Sequence, residues 1–212
     1  MTATNATERL DPARTALLFF DMLNGHVKKN DPATKARYAP VIAAAVRLLE
    51  AARRAGIVVM YAAAHHRPDN ATSAHLLTDT DNRLRPIAAD APRESKPVVA
   101  AGTWEAQVID ELKPLAQDYM IPKFRWSAFH QTYLDLALRS RGIDTLVISG
   151  GSTDVGVAST AYAARDLDYK LVIASDACTS PEEDNHVQFM RRVFPRMARV
   201  RTADQVVRML AG

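Results

Sequence analysis

Asp21, Lys123 and the stretch SGGSTDVGVAST at residues 149–160 are the parts of this chain whose residue types and spacing suit chemistry. Each follows a short apolar run: Asp21 comes after TALLFF, Lys123 after YMIP, and the corner after TLVI. A carboxylate and an ammonium brought to one edge of a sheet can move a proton and stabilise charge. Backbone N–H groups at a strand-to-helix corner have no partner within the helix, so they can receive an oxyanion. These are the working parts of a hydrolase, apart from an obvious nucleophile. The corner offers Ser149, Ser152, Thr153 and Ser159 but no cysteine. An aspartate at a strand end also serves as a turn or cap residue. The lysine in a matching place is what turns the balance towards chemistry.

Hydrophobic periodicity indicates the elements that must carry these residues. Apolar runs at 15–20, 57–61, 118–121, 145–148 and 171–174 read as short strands, the first with the pattern of a strand buried on both faces, and 199–201 as a sixth short strand. Helices are expected between Asp31-Pro32 and Gly56, and over 104–112, 133–141, 154–166, 182–194 and 203–210. Alternation of strand and helix implies an α/β fold, a single domain over 1–212 with a doubly wound, mainly parallel six-stranded sheet and helices on both faces. Residues 62–102, rich in Pro, Asp, Asn and His, read as a loop-rich insertion that could bind substrate. In such sheets ligands bind beyond the carboxyl ends of the strands, where strand order reverses. Asp21, Lys123 and the corner are all expected there.

Composition narrows the function classes. A chain of 212 residues, 48% apolar and 24% charged, has the length and make-up for a core without disulfides or structural metal. The net charge of +3 is spread among interspersed acidic residues, so no nucleic-acid partner is expected. No run is long and apolar enough to span a bilayer, and the first residues lack the apolar core of a signal peptide. The expected setting is cytoplasmic, with no membrane partner. The single cysteine, Cys178, excludes an intramolecular disulfide and a CxxC motif, and its place after an apolar run reads as structural.

Three stretches in order, LLFFDMLN at 17–24, PKFRWSAFHQT at 122–132 and GIDTLVISGGSTDVGVAST at 142–160, resemble the isochorismatase-like superfamily. YKLVIASDACTS from Tyr169 extends the likeness over nearly the whole chain. The resemblance implies a Rossmann-like order, a small-molecule substrate, no cofactor, and a homodimer or homotetramer. It places Asp21 and Lys123 in a catalytic triad whose third member, a nucleophilic Cys in the amidohydrolases, is replaced by Gly156. It also implies a cis peptide at Gly151-Ser152, with the backbone of Gly151, Ser152 and Gly156 around the oxyanion. Isochorismatases proper carry Gly at the same place and cleave a vinyl ether with Asp as the acid, but the segment upstream of Lys123 lacks their Pro-Gly and Gln signature.

The expected function is therefore hydrolysis of a small molecule by Asp21 and Lys123 without a Cys nucleophile. A cysteine amidohydrolase of amides or ureides disabled by Gly156, and a non-catalytic binder, are the alternatives. A cysteine restored at position 156 is expected to lie near Asp21 and Lys123 as a reactive thiolate. Asn24, Trp104, Phe129 and His66 are the expected substrate contacts, with Trp126 a further bulky residue near the mouth. His65, His66, Asp69 and His75 do not complete the superfamily's Asp-x-His metal pattern, since Ala64 stands where an acidic ligand would help, and no metal is expected.

Overall fold

In the computed structural model, which describes residues 8–69, 71–72 and 99–211, one six-stranded sheet organises the chain. Its strands are β1 (Thr15–Phe20), β2 (Val58–Ala64), β3 (Tyr119–Lys123), β4 (Thr145–Gly151), β5 (Lys170–Thr179) and β6 (Arg199–Arg201). The order is β3-β2-β1-β4-β5-β6 and every pairing is parallel. Order reverses between β1 and β4, where Phe20 stands opposite Gly150. The helices are α1 (Asn24–Val27), α2 (Pro32–Ala55), α3 (Leu134–Ser140), α4 (Ala158–Asp166), α5 (Glu183–Gln188) and α6 (Ala203–Ala211).

Strand period 2 separates two cores. Leu17, Phe19, Val59, Tyr61, Val147 and Val172 face α2 and α6, and their neighbours Leu18, Phe20, Met60, Leu146, Ile148 and Ile173 face α3 and α4. Helix α2 starts where Asp31 Oδ1 accepts the Thr34 N–H at 2.8 Å with Pro32 at its first position, and stops at Gly56, whose φ of 69° only glycine adopts readily. On α4 the inward residues are small, Ala158, Ala161 and Ala164, so its backbone lies close to the sheet.

Several boundaries differ from the sequence expectations, each for a visible reason. Strand β2 runs on to Ala64 because Ala63 and Ala64 pair with Pro122 and Lys123, so the insertion begins after 64 rather than at 62. Pro122 is tolerated because β3 is an edge strand. The helix expected over 104–112 is two 3₁₀ turns, Trp104–Ala106 and Asp110–Leu112. Between them the backbone bonds across to the chain after β1: Asn24 N–H to Gln107 O at 2.9 Å and Ile109 N–H to Met22 O at 3.1 Å. The helix expected from 154 opens with a π turn, Thr153–Val157. Of the candidate histidines, His75 lies outside the described residues.

The edge strand is tied to α2 by a partly buried ion pair. Arg53 holds both oxygens of Asp118 at 2.8 and 2.6 Å, and Asp118 also accepts the Leu115 N–H at 2.7 Å. The Asp118 side chain is only 2% exposed. Asp118→Ala, which leaves a guanidinium and an N–H without acceptors, is expected to lower stability by about 3 kcal/mol in urea unfolding. A loss within experimental error would show the pair to be dispensable.

Candidate active site

The carboxylate of Asp21 joins three strand ends. Its Oδ2 accepts from Lys123 Nζ at 2.7 Å and its Oδ1 from the Ala64 N–H at 2.9 Å, so the ends of β1, β2 and β3 meet on one side chain. Both partners are sheltered: the Asp21 side chain is 14% exposed and that of Lys123 is 6% exposed. The backbone turns left-handed at Asp21 (φ 49°), a conformation Asp tolerates better than most residues. Lys123 Nζ also lies 4.4 Å from the centroid of the Phe20 ring.

On the other side of the switch point the corner after β4 is built around Asp154. Its carboxylate accepts from Ser152 Oγ at 2.6 Å, Ser180 Oγ at 2.5 Å and Asn185 Nδ2 at 2.8 Å. Burial pushes this carboxyl up, but those three donors outweigh it and hold it below the ordinary carboxylate range. With its oxygens so engaged, Asp154 fixes the corner. Thr153 Oγ1 bonds to His186 Nδ1 at 2.9 Å, fastening the same turn to α5. The Gly151–Ser152 peptide is cis. A Cβ on Gly151 would lie 2.5 Å from the Tyr38 hydroxyl oxygen, too close for a carbon, which explains glycine there. Val157 N–H reaches back to Ser152 O at 3.0 Å, and the N–H groups before it belong to the first turn, which has no intrahelical acceptors for them.

These two halves face one cleft of about 230 Å³. Asp21, Lys123, Gly151, Ser152 and Gly156 all line it, together with Phe20. A second set, His26, Lys29, Arg37, Tyr38 and Trp126, forms most of the remaining wall, with Val155 and Pro181. Burial pushes the His26 imidazole below its ordinary value despite the nearby Asp21, which favours the neutral ring. A larger groove of about 480 Å³ lies at the opposite, amino ends of the strands, but there Asp144 is already paired with Arg14 at 2.6 Å and Lys170 at 3.1 Å.

Gly156 has no free space for a side chain. A Cβ added there would lie 2.9 Å from Phe20 Cδ1 and nearer still to Cε1 and Cζ. Phe20 is 2% exposed, its ring held between Lys123 and the backbone at Gly156. The expectation that a cysteine at position 156 would simply sit beside Asp21 and Lys123 is therefore corrected: the aromatic ring fills that volume. Cys178 does not replace it. It is 3% exposed within the core on the α4 face, outside the cleft lining, and burial pushes its thiol up to about 12.

The four expected substrate contacts are placed elsewhere. Asn24 is buried and donates to Trp104 O at 3.1 Å, joining the chain after β1 to the 104–106 turn. Trp104 is 55% exposed and is not among the residues lining the cleft. Phe129 packs into the core with its ring 5.7 Å from that of Tyr169. His66 pairs with Ala100 as an isolated bridge and bonds through Nδ1 to Thr72 O at 3.2 Å. Asp69 is engaged by Arg67 at 2.6 Å, and among the described residues no group of three or more His, Cys, Asp or Glu is arranged to hold a metal ion. Among those residues, too, no helix is long and apolar enough to cross a membrane.

With the site in view, comparison with known proteins gives its class. The isochorismatase domain model matches residues 15–205. YecD of Escherichia coli O157:H7, an isochorismatase family protein, is 40% identical over 121 residues, 57% of this chain and 63% of that one, so the match spans less than two thirds of this relative. The ureidoacrylate amidohydrolase RutB of Pseudomonas savastanoi pv. phaseolicola is 33% identical over 177 residues, 80% of this chain and 72% of that one. An isochorismatase family structure from Burkholderia thailandensis superposes with a TM-score of 0.79 at 29% identity, covering 96% of this chain and 98% of the other. The chain belongs to the isochorismatase family.

Proposed function

We propose that this protein is a small-molecule hydrolase that uses Asp21 as its proton-transfer group and Lys123 as the cationic partner, with no covalent enzyme intermediate. The observation that carries the reading is the sheltered Asp21–Lys123 pair at 2.7 Å, in a cleft where Phe20 fills the space beside Gly156. The Phe20 ring occupies the volume that a thiol at position 156 would need, which supports a route without a nucleophile there. A pure binder has no need of the buried ion pair, which is costly to desolvate.

Each Asp21 oxygen accepts one hydrogen bond and keeps a second lone pair, which can take a proton from water. Hydroxide then adds to the carbonyl carbon, and the new oxyanion meets N–H groups of the first turn after Ser152. The C–N bond breaks as the proton returns from Asp21 to the leaving nitrogen. An amide or ureide substrate is favoured over a vinyl ether because a vinyl ether needs Asp21 to begin as a proton donor, and because a relative bears the name ureidoacrylate amidohydrolase. The proposal extends to a cytoplasmic homo-oligomer, supported by the family likeness and by exposed Met120 and Tyr133 near the sheet edge.

Incubating the chain with a panel of amides, ureides and vinyl ethers and detecting products by mass spectrometry tests the reading. Turnover of an amide or ureide, without a mass adduct on the protein, is expected. Tight binding across the panel with no product would make the protein a binder instead.

A further inference from the structure

Ser152 lines the cleft, and the proton of its hydroxyl is already committed. Asp154 Oδ1 accepts from Ser152 Oγ at 2.6 Å and from Ser180 Oγ at 2.5 Å, while Oδ2 accepts from Asn185 Nδ2 at 2.8 Å. Asp154 is ionised at neutral pH, because the upward push of burial is outweighed by these three donors. An ionised carboxylate only accepts, so each serine must give it its single hydrogen. The two serine oxygens stand 3.4 Å apart, beyond the usual range for a bond between them. Short O–H bonds to a carboxylate are charge-assisted and strong, so the Ser152 hydroxyl is not free to turn. Ser180, which follows β5 and is 1% exposed, and Asn185 of α5 hold the carboxylate in place from outside the corner.

The consequence is a polar atom of fixed character on the cleft wall. With its hydrogen given to Asp154, Ser152 Oγ presents lone pairs to a ligand and no donor. Directly after it in the chain, the N–H groups of the first turn lack intrahelical acceptors and present donors only. An acceptor beside donors is the complement of an amide, whose carbonyl oxygen accepts while the N–H on the same carbon donates. A ketone or an ester has no hydrogen to give at that place and would leave Ser152 Oγ unpaired. Asp21, the carboxylate of the cleft, is held by Lys123 and the Ala64 N–H and has the water to deprotonate.

We infer that Ser152 Oγ is a specificity-determining acceptor for an N–H of the substrate's scissile amide or ureide, with Asp154 and Ser180 as positioning residues that keep its hydrogen turned away. This deepens the hydrolase reading and rests on it for turnover, whereas the preference for an N–H can be measured by binding alone.

Fluorine NMR titration of the full chain with para-fluorobenzamide and para-fluorophenylacetamide tests the assignment. Each is set beside the ketone twin in which a methyl group replaces the amino group, para-fluoroacetophenone and para-fluorophenylacetone, so that shape and carbonyl are kept and the N–H is lost. At least one amide is expected to bind about tenfold more tightly than its ketone, since a site built for a donor rejects an analogue that lacks it. Ser152→Ala should bring that ratio to within about twofold, and Ser152→Thr, which keeps the hydroxyl, should retain most of it. Loosening of the corner by the alanine would weaken amide and ketone alike and leave the ratio standing, so the ratio separates contact from support. Thermal unfolding of each variant confirms that it is folded. Equal affinity of amides and ketones, no saturable binding of either amide, or an unaltered ratio in folded Ser152→Ala would overturn the role of Ser152. Product detection on the same samples separates the two readings: an amide preferred through Ser152 without turnover leaves this role standing and removes the hydrolase, and turnover of an amide that binds no better than its ketone does the reverse.

Discussion

Asp21→Asn is expected to lower kcat/KM by about a thousandfold, the range that a positioned general base contributes, with the loss in kcat rather than KM. The asparagine keeps the shape and can still accept the Ala64 N–H, but it cannot take a proton from water. It also leaves Lys123 without its anion in a site where the lysine side chain is 6% exposed. Removing one member of a buried pair costs about 3 kcal/mol, so the variant should also unfold at lower urea. These two effects separate in a double variant. Asp21→Asn with Lys123→Met removes the stranded charge and keeps an apolar chain against the Phe20 ring, so stability should return towards the unmodified value while activity stays lost. If instead the double variant regained activity along with stability, the single defect would be one of folding and Asp21 would not be the proton-transfer group. More than a tenth of normal activity in folded Asp21→Asn would remove the assignment as well.

The strand ends were readable because they depend on local pattern. The runs ALLFF of TALLFF and LVI of TLVISGG have the continuous apolar pattern of strands buried on both faces, and both strands end at the residues of the site. Their convergence follows from parallel pairing about a switch point, which strand-helix alternation already implies. The contacts made by side chains across the fold were not readable in the same way. Phe129 follows Lys123 by a few residues in sequence, yet its ring turns inward against Tyr169. Arg37 sits on α2, whose pattern of Val41, Ala45, Leu48, Leu49 and Ala52 describes only the face against the sheet. Nothing in that periodicity marks the first turns as part of a cleft. Only the short helix α1 separates Asp21 from the start of α2, and Arg37 reaches the cleft from the second turn of that helix. A usable hint was the bulk of Phe20 immediately before Asp21 combined with the absence of a side chain at Gly156, since the ring comes to lie beside Gly156 once β1 and β4 are paired.

That proximity gives the second large effect. Gly156→Cys alone should express poorly or unfold early, because its Cβ would enter the Phe20 ring and the ring is packed in the core with Lys123 against it. Overpacking a buried site of this kind costs about 1–3 kcal/mol. Phe20→Ala with Gly156→Cys exchanges the two volumes, opening room for the thiol within the cleft that holds Asp21 and Lys123. A thiol near the start of the turn before α4, with an ammonium close by, is biased towards the thiolate. The double variant should therefore react with iodoacetamide at pH 7 at least about tenfold faster than the unmodified chain, in which Cys178 is the sole thiol. Burial that pushes the Cys178 thiol up to about 12 keeps that background low. Peptide mapping identifies the modified residue, and Phe20→Ala alone provides the control for any loosening around Cys178. Labelling of Cys178 at equal rates in the double variant and in Phe20→Ala, with the introduced thiol at position 156 unlabelled, would show that the volume beside Gly156 is not the place from which Phe20 excludes a nucleophile. Labelling of Gly156→Cys as fast without the second substitution would show that the ring moves aside freely, and the closed covalent route proposed for this protein would lose its steric basis.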